Sequence, residues 1–179
     1  MRKMKRPVAY LITFTTYGSW LHGDQKGSIS RKDNSYGQPF MAPNARLRQT
    51  EKSILRNPPF VLNRSRRETV LAAILNVCRF RCWLAHAAHV RTNHVHIVVS
   101  GNEIPGKMMA NFKAYATRAI NRHQDGQKTI SRYWTRHGST KYLWTKQDLA
   151  SAVKYVKNEQ GNIMAYAESI KKQGFECKG

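Results

Sequence analysis

The stretch Asn93-His94-Val95-His96-Ile97-Val98-Val99-Ser100 constrains this chain more than any other. Two histidines one residue apart, followed by Ile-Val-Val, predict a β-strand, in which residues i and i+2 point to the same face. His94 and His96 therefore project together, while Val95, Ile97 and Val99 form an apolar row on the other side. Such a strand belongs to a sheet with helices packed on one face and polar chemistry on the other. Paired imidazoles are candidate metal ligands, because neutral imidazole is the commonest side-chain ligand for metals. The same pair is also compatible with two surface or hydrogen-bonded residues.

Charge narrows the partner. Thirty-one Lys and Arg stand against ten Asp and Glu, a formal net charge of +21, spread over all 179 residues and not gathered in one tail. Polyanions are drawn to such a surface, and counterion release makes nucleic acid the expected one. The length fits one domain, 1–179, with its own core. Cys78, Cys82 and Cys177 make no C-x-x-C pair and no zinc spacing, and an odd count suits a reducing compartment. No apolar run reaches membrane-spanning length, so the expected setting is cytoplasmic and nucleoid-associated, with no membrane partner.

Along the chain, β-branched and aromatic residues predict a first strand over 8–17. A segment at about 19–63 has little periodicity and is expected to be a long loop. Its Trp20, His22 and Asp24 are candidate nucleic-acid contacts or members of a capped turn. Ser65 and Glu68 form a capping-box pattern, and Val70, Leu71, Ile74, Val77 and Cys78 recur at helical spacing, predicting a helix over 66–80. The stretch 82–90 reads as a strand in which His86 and His89, three apart, point to opposite faces and take structural roles. A core helix opens near Pro105, buries Met108, Phe112 and Ala116, and exposes Arg118. The stretch 133–144 reads as aromatic strand residues around a turn at Gly138, its aromatics, Arg136 and Lys141 being candidates to stack bases and grip phosphate or ordinary sheet residues. Thr145 and Asp148 cap a further helix reaching Gly161. On its wheel Tyr155 and Glu159 share a flank, and Gln160 falls within the apolar stripe. Residues 162–179 are expected to form another helix and a basic C-terminal tail.

This order predicts an α+β, ferredoxin-like antiparallel sheet with two helices on one face and an additional C-terminal helix on the other. With that frame, His94-Val95-His96 resembles the His-hydrophobic-His motif of the HUH endonucleases. Tyr155-Val156-Lys157-Asn158-Glu159-Gln160-Gly161 resembles the tyrosine helix of single-tyrosine HUH transposases, above all the REP-associated tyrosine transposases. Phe112 to Asn121 and Trp134 to Gly138 are also similar, so the likeness runs from Val8 to Gly161.

The resemblance implies a metal-dependent transposase that nicks and joins single-stranded or hairpin DNA. Tyr155 would be the catalytic nucleophile, and His94, His96 and Glu159 would hold Mg²⁺ or Mn²⁺. Trp20, Arg118, Arg136 and Lys141 would contact DNA, and a homodimer is compatible with it. Members commonly carry Gln or Asn where this chain has Glu159, which leaves Gln160 as the alternative third ligand. Tyr115 is the rival tyrosine. The competing classes are a non-catalytic nucleic-acid-binding module and an HUH replication initiator or relaxase.

Overall fold

A computed structural model of the chain describes residues 6–19, 44–123 and 132–168. Five strands make one sheet: β1 (Ala9–Thr16), β2 (Leu84–Val90), β3 (His94–Ser100), β4 (Trp134–Leu143) and β5 (Ala165–Glu168). Their order is β4-β1-β3-β2-β5, with every neighbouring pair antiparallel. Helices α2 (Arg64–Phe80) and α3 (Pro105–His123) make the two crossovers, giving the expected ferredoxin-like α+β core. Helix α4 (Lys146–Asn158) follows β4, and a short exposed helix α1 (Ala45–Ser53) precedes the core.

Alternation along the strands separates two apolar clusters. On one face Ile12, Phe14, Val95, Ile97 and Val99 pack with Val70, Ile74 and Val77 of α2 and Met108, Phe112 and Ala116 of α3. On the other, Ala9, Ala87, Val98 and Leu143 pack with Ala152 and Val156 of α4. The second cluster is smaller because α4 covers only part of its face, across β2, β3 and β4. The histidines of β3 lie on that partly covered side.

Several local expectations change. Within 19–63, α1 forms from Asn44, whose side chain caps Leu47 N at 2.9 Å, yet it buries no residue, which explains the missing apolar period. Phe60 and Leu62 are buried, and their amides bond the carbonyls of Tyr17 and Thr92 at 2.9 and 2.7 Å, so the end of this segment is part of the core. Helix α2 is capped by Asn63, whose Oδ1 accepts from Arg66 N at 2.9 Å, instead of by Ser65. The α4 capping box of Thr145 and Asp148 forms as expected. Beyond α4 the described residues make strand β5, not a helix, and the expected basic tail, 169–179, lies outside the described residues. Cys78 is a buried thiol, pushed up to about 12 by burial, whereas Cys82 is in a disulfide.

The 133–144 stretch is one continuous strand, not a hairpin. Gly138 pairs with Phe14 inside it, and a bulge lies between Phe14 and Thr16. Lys113 of α3 holds the bulged segment, donating to the carbonyls of Thr135 and His137 at 2.9 and 3.1 Å. Glycine is required at 138 because a Cβ would meet the Thr13 carbonyl oxygen and the Met109 sulfur. Gly138→Ala should therefore lower stability by about 1–3 kcal/mol in urea denaturation. Gly106→Ala in the first turn of α3, where a Cβ meets nothing within 4 Å, should leave stability equal or slightly higher.

Candidate active site

The site starts from β-sheet register. Antiparallel pairing sets Thr13 of β1 opposite His96 and Thr15 opposite His94. Thr13 Oγ1 lies 2.8 Å from His96 Nδ1, and His94 Nδ1 lies 2.7 Å from Asn93 Oδ1. An amide oxygen only accepts, so His94 Nδ1 carries a proton, and in the neutral ring its Nε2 keeps the lone pair. The two imidazole centroids are 4.8 Å apart. Oxygen partners on Nδ1 are the outer-shell arrangement that orients metal-ligating histidines.

His96 is 3% exposed, and its imidazole is pushed down to about 3. Burial is the largest cause, followed by the neighbouring His94. His89 and Arg91 act in the same sense, against a hydrogen bond to the Gln160 side chain, which favours the protonated ring. At neutral pH His96 is thus an uncharged imidazole, the form that binds a cation.

Helix α4 lays Tyr155 over this pair. Its ring centroid is 5.7 Å from that of His96, at an interplanar angle of 81°. Tyr155 is 37% exposed, so its ring faces both the histidine and solvent. Both elements belong to one chain. Tyr115, by contrast, packs with the α2/α3 core on the opposite face of the sheet.

The end of α4 is tied down from β2. His89, fully buried and cross-strand from His96, donates from Nδ1 to the Val156 carbonyl at 3.0 Å and accepts from Met164 N at 3.1 Å through Nε2. Burial holds its imidazole below the usual histidine range. Arg91 donates to the Asn162 carbonyl at 2.8 Å, and Lys157 pairs with Glu168 at 2.8 Å. The structural role expected for His86 and His89 holds, but the opposite-face reason does not. A bulge between Ala85 and Ala87 turns His86 to Ser100 Oγ at 2.9 Å, so both histidines lie on the α4 side.

A cavity of about 520 Å³ opens on the β1 and β4 side of Tyr155, lined in part by Thr13, Ser139, Lys141, Ser151 and Glu159. Lys141 is therefore gathered beside Tyr155. Glu159 is exposed at the α4 C-cap and is among the residues lining the cavity, whereas Gln160 reaches His96. Among the described residues no three His, Cys, Asp or Glu side chains form a metal-binding group. Arg136 is exposed on the β4 bulge. Arg118 is not brought to the site: it lies on α3, stacked 4.4 Å over Tyr115. Trp20 lies outside the described residues, and among these no helix is long and apolar enough to cross a membrane.

Sequence reasoning missed Thr13, Asn93 and the anchoring contacts of His89. Asn93 adjoins the histidine motif and was a legible partner; Thr13 is 83 residues away and becomes one only through strand pairing.

No family model matches the chain, and no curated protein does. Among solved structures, a REP-associated tyrosine transposase bound to a REP hairpin is similar at 14% identity and a TM-score of 0.45. The match covers 87% of this chain and 68% of the other.

The buried imidazole predicts an acid limb in stability. Between pH 6.5 and about 3 the unfolded chain binds a proton that folded His96 refuses, so stability is full above 6.5 and falls as pH drops through that window. His86 and His89, also lowered by burial, act in the same direction. Urea midpoints in chelator should decrease from pH 7.5 to pH 5, and His96→Gln should show a shallower decrease. Equal slopes would remove His96 from the account.

Proposed function

We propose that this chain nicks and rejoins single-stranded DNA, hairpin-forming sequences included, by transesterification at Tyr155. The single observation that carries the reading is the approach of the Tyr155 ring to His96 beside His94, on one face of one chain. The formal net charge of +21 supports a DNA partner, and the motif resemblance agrees with both.

The residues present fit a divalent cation, Mg²⁺ or Mn²⁺. His94 and His96 offer neutral nitrogens whose Nδ1 partners are already set, and the Gln160 side chain oxygen supplies the third donor on this reading. The contact of Gln160 with His96 favours it over Glu159, the first choice from the helical wheel. When bound, such an ion draws charge from a phosphate oxygen in the transition state.

The chain's own residues do the rest. The Tyr155 Oη attacks phosphorus, the bond from phosphorus to the 3′ oxygen breaks, and a 5′-phosphotyrosine and a free 3′-hydroxyl result. The phenol gives up its proton, and the departing 3′ oxygen takes one up. Lys141, the basic residue among those lining the cavity with Tyr155, supplies positive charge for the phosphate on this reading. Because the phosphotyrosyl bond replaces a phosphodiester of similar energy, attack by a 3′-hydroxyl reverses the chemistry and joins strands without ATP. His89, Arg91 and the Lys157–Glu168 pair hold α4 so that the nucleophile is positioned before DNA arrives.

The experiment is to incubate the protein with labelled hairpin-bearing single-stranded DNA and Mn²⁺ or Mg²⁺, and to look for an adduct that survives denaturation. Tyr155→Phe should abolish it and retain DNA binding, whereas Tyr115→Phe should retain it. His94→Ala and His96→Ala should lose cleavage with little change in DNA affinity. An adduct that persists in Tyr155→Phe and disappears in Tyr115→Phe would overturn the assignment. Binding that collapses in the histidine variants, with unchanged cleavage per bound complex, would favour a nucleic-acid-binding module. Thr13→Val should weaken Mn²⁺ binding by roughly 10–100-fold, measured by titration without DNA.

A further inference from the structure

The cavity beside Tyr155 is not explained by strand cleavage alone. Its volume, about 520 Å³, is within the range of small-ligand sites, roughly 300–1,000 Å³. The histidine pair lies on one side of Tyr155, on β3, and the cavity on the other, against β1 and β4. Thr13 belongs to both, since its hydroxyl orients His96 and also lines the cavity. A DNA strand with its scissile phosphate at Tyr155 would thus extend one neighbouring nucleoside into this space.

The lining is suited to that occupant. Leu11 and Ala152 supply apolar surface for a base, and Thr13, Ser139 and Ser151 supply hydroxyls. Lys141 supplies one cation for a phosphate. Two carboxylates also line the cavity, and they differ in commitment. Asp148 Oδ2 already accepts from the amides of Trp144 and Thr145, both at 3.0 Å, and is occupied in capping α4. Glu159 is the exposed carboxylate at the far end of the same helix, one turn beyond Tyr155. A carboxylate beside a base accepts hydrogen bonds from an exocyclic amino group, which cytosine, adenine and guanine carry and thymine lacks.

We propose that this cavity receives the nucleoside adjoining the scissile phosphate, and that Glu159 reads it by accepting from the exocyclic amino group of its base. The proposal deepens the strand-cleavage reading and rests on it. It gives Glu159 a specificity role distinct from the metal site, whose third donor is then Gln160.

The first test needs no catalysis. In chelator, deoxynucleoside 5′-monophosphates are titrated into the full chain and followed by amide chemical shifts of Ser139, Lys141 and Ser151. The three amino-bearing nucleotides should shift these amides and bind about tenfold tighter than thymidine monophosphate, the size of one charged hydrogen bond. Glu159→Gln should remove most of that difference, and Ser151→Phe, which fills the cavity, should weaken all four. Absence of shifts at these amides, or equal affinity for all four nucleotides, would overturn the proposal even if the protein cleaves DNA.

The second test sequences the DNA ends captured as adduct from a randomised single-stranded pool. An amino-bearing base should be enriched next to the cleaved phosphate for the wild type, and the enrichment should be lost in Glu159→Gln. If base preference is unchanged while Glu159→Gln raises the half-saturating Mn²⁺ concentration more than about tenfold, Glu159 is a metal ligand and the proposal fails. If no adduct forms at all, the cleavage reading fails, and with it a proposal that places the nucleoside beside a scissile phosphate.

Discussion

The pairing of β1 with β3 is the constraint on which the rest of the site depends. Its register sets Thr13 against His96, so that a hydroxyl meets Nδ1 and the ring is fixed in orientation. A slip of one residue would exchange the two faces, turning the histidines into the α2/α3 core and Val95 and Ile97 toward α4. Register is therefore enforced by burial: Ile12, Phe14, Val95 and Ile97 are all fully buried, and a one-residue slip would turn one strand's buried residues away from the α2/α3 core. The apolar back of the histidine strand thus fixes the geometry of its polar front.

The same economy explains the small cluster under α4. That helix buries Ala152 and Val156 and packs Leu149 and Val153 in part, a smaller apolar contact than α2 and α3 make on the other face. Polar contacts take over at its C-terminal end. The neutral imidazole of His89 satisfies a helix-end carbonyl and the amide of Met164 in the interior, where leaving either unpaired would cost about 1–3 kcal/mol. Strand β5 and the Arg91 contact close the same corner. The outcome is a tyrosine that is exposed yet held over a buried histidine.

Much of this was legible in the sequence. The alternation in His94 to Ser100 defines the two faces of β3, and the spacing of Val70, Ile74 and Val77 defines the buried side of α2. The Thr145 and Asp148 signal fixes the start of α4 and so the position of Tyr155. What was not legible depends on long-range pairing or on local irregularity. A bulge in β2 puts His86 on the same side as His89 despite their odd spacing. A bulge in β4 and the close approach of Thr13 to Gly138 turn an apparent hairpin signal into a continuous edge strand. At the α4 terminus the backbone leaves helical geometry at Glu159, so a helical wheel does not carry through to Gln160, and the side chain that meets His96 is the one the wheel disfavoured.

Completeness within a single chain is the central claim, and it can be tested by mixing two inactive variants. Tyr155→Phe retains both histidines, and His96→Ala retains the tyrosine. If each site is built from one chain, wild-type protein forms the covalent DNA adduct and an equimolar mixture of the two variants forms none. Adduct formation restored in the mixture, on the tyrosine of the His96→Ala chain, would show a site shared between subunits and would contradict the account.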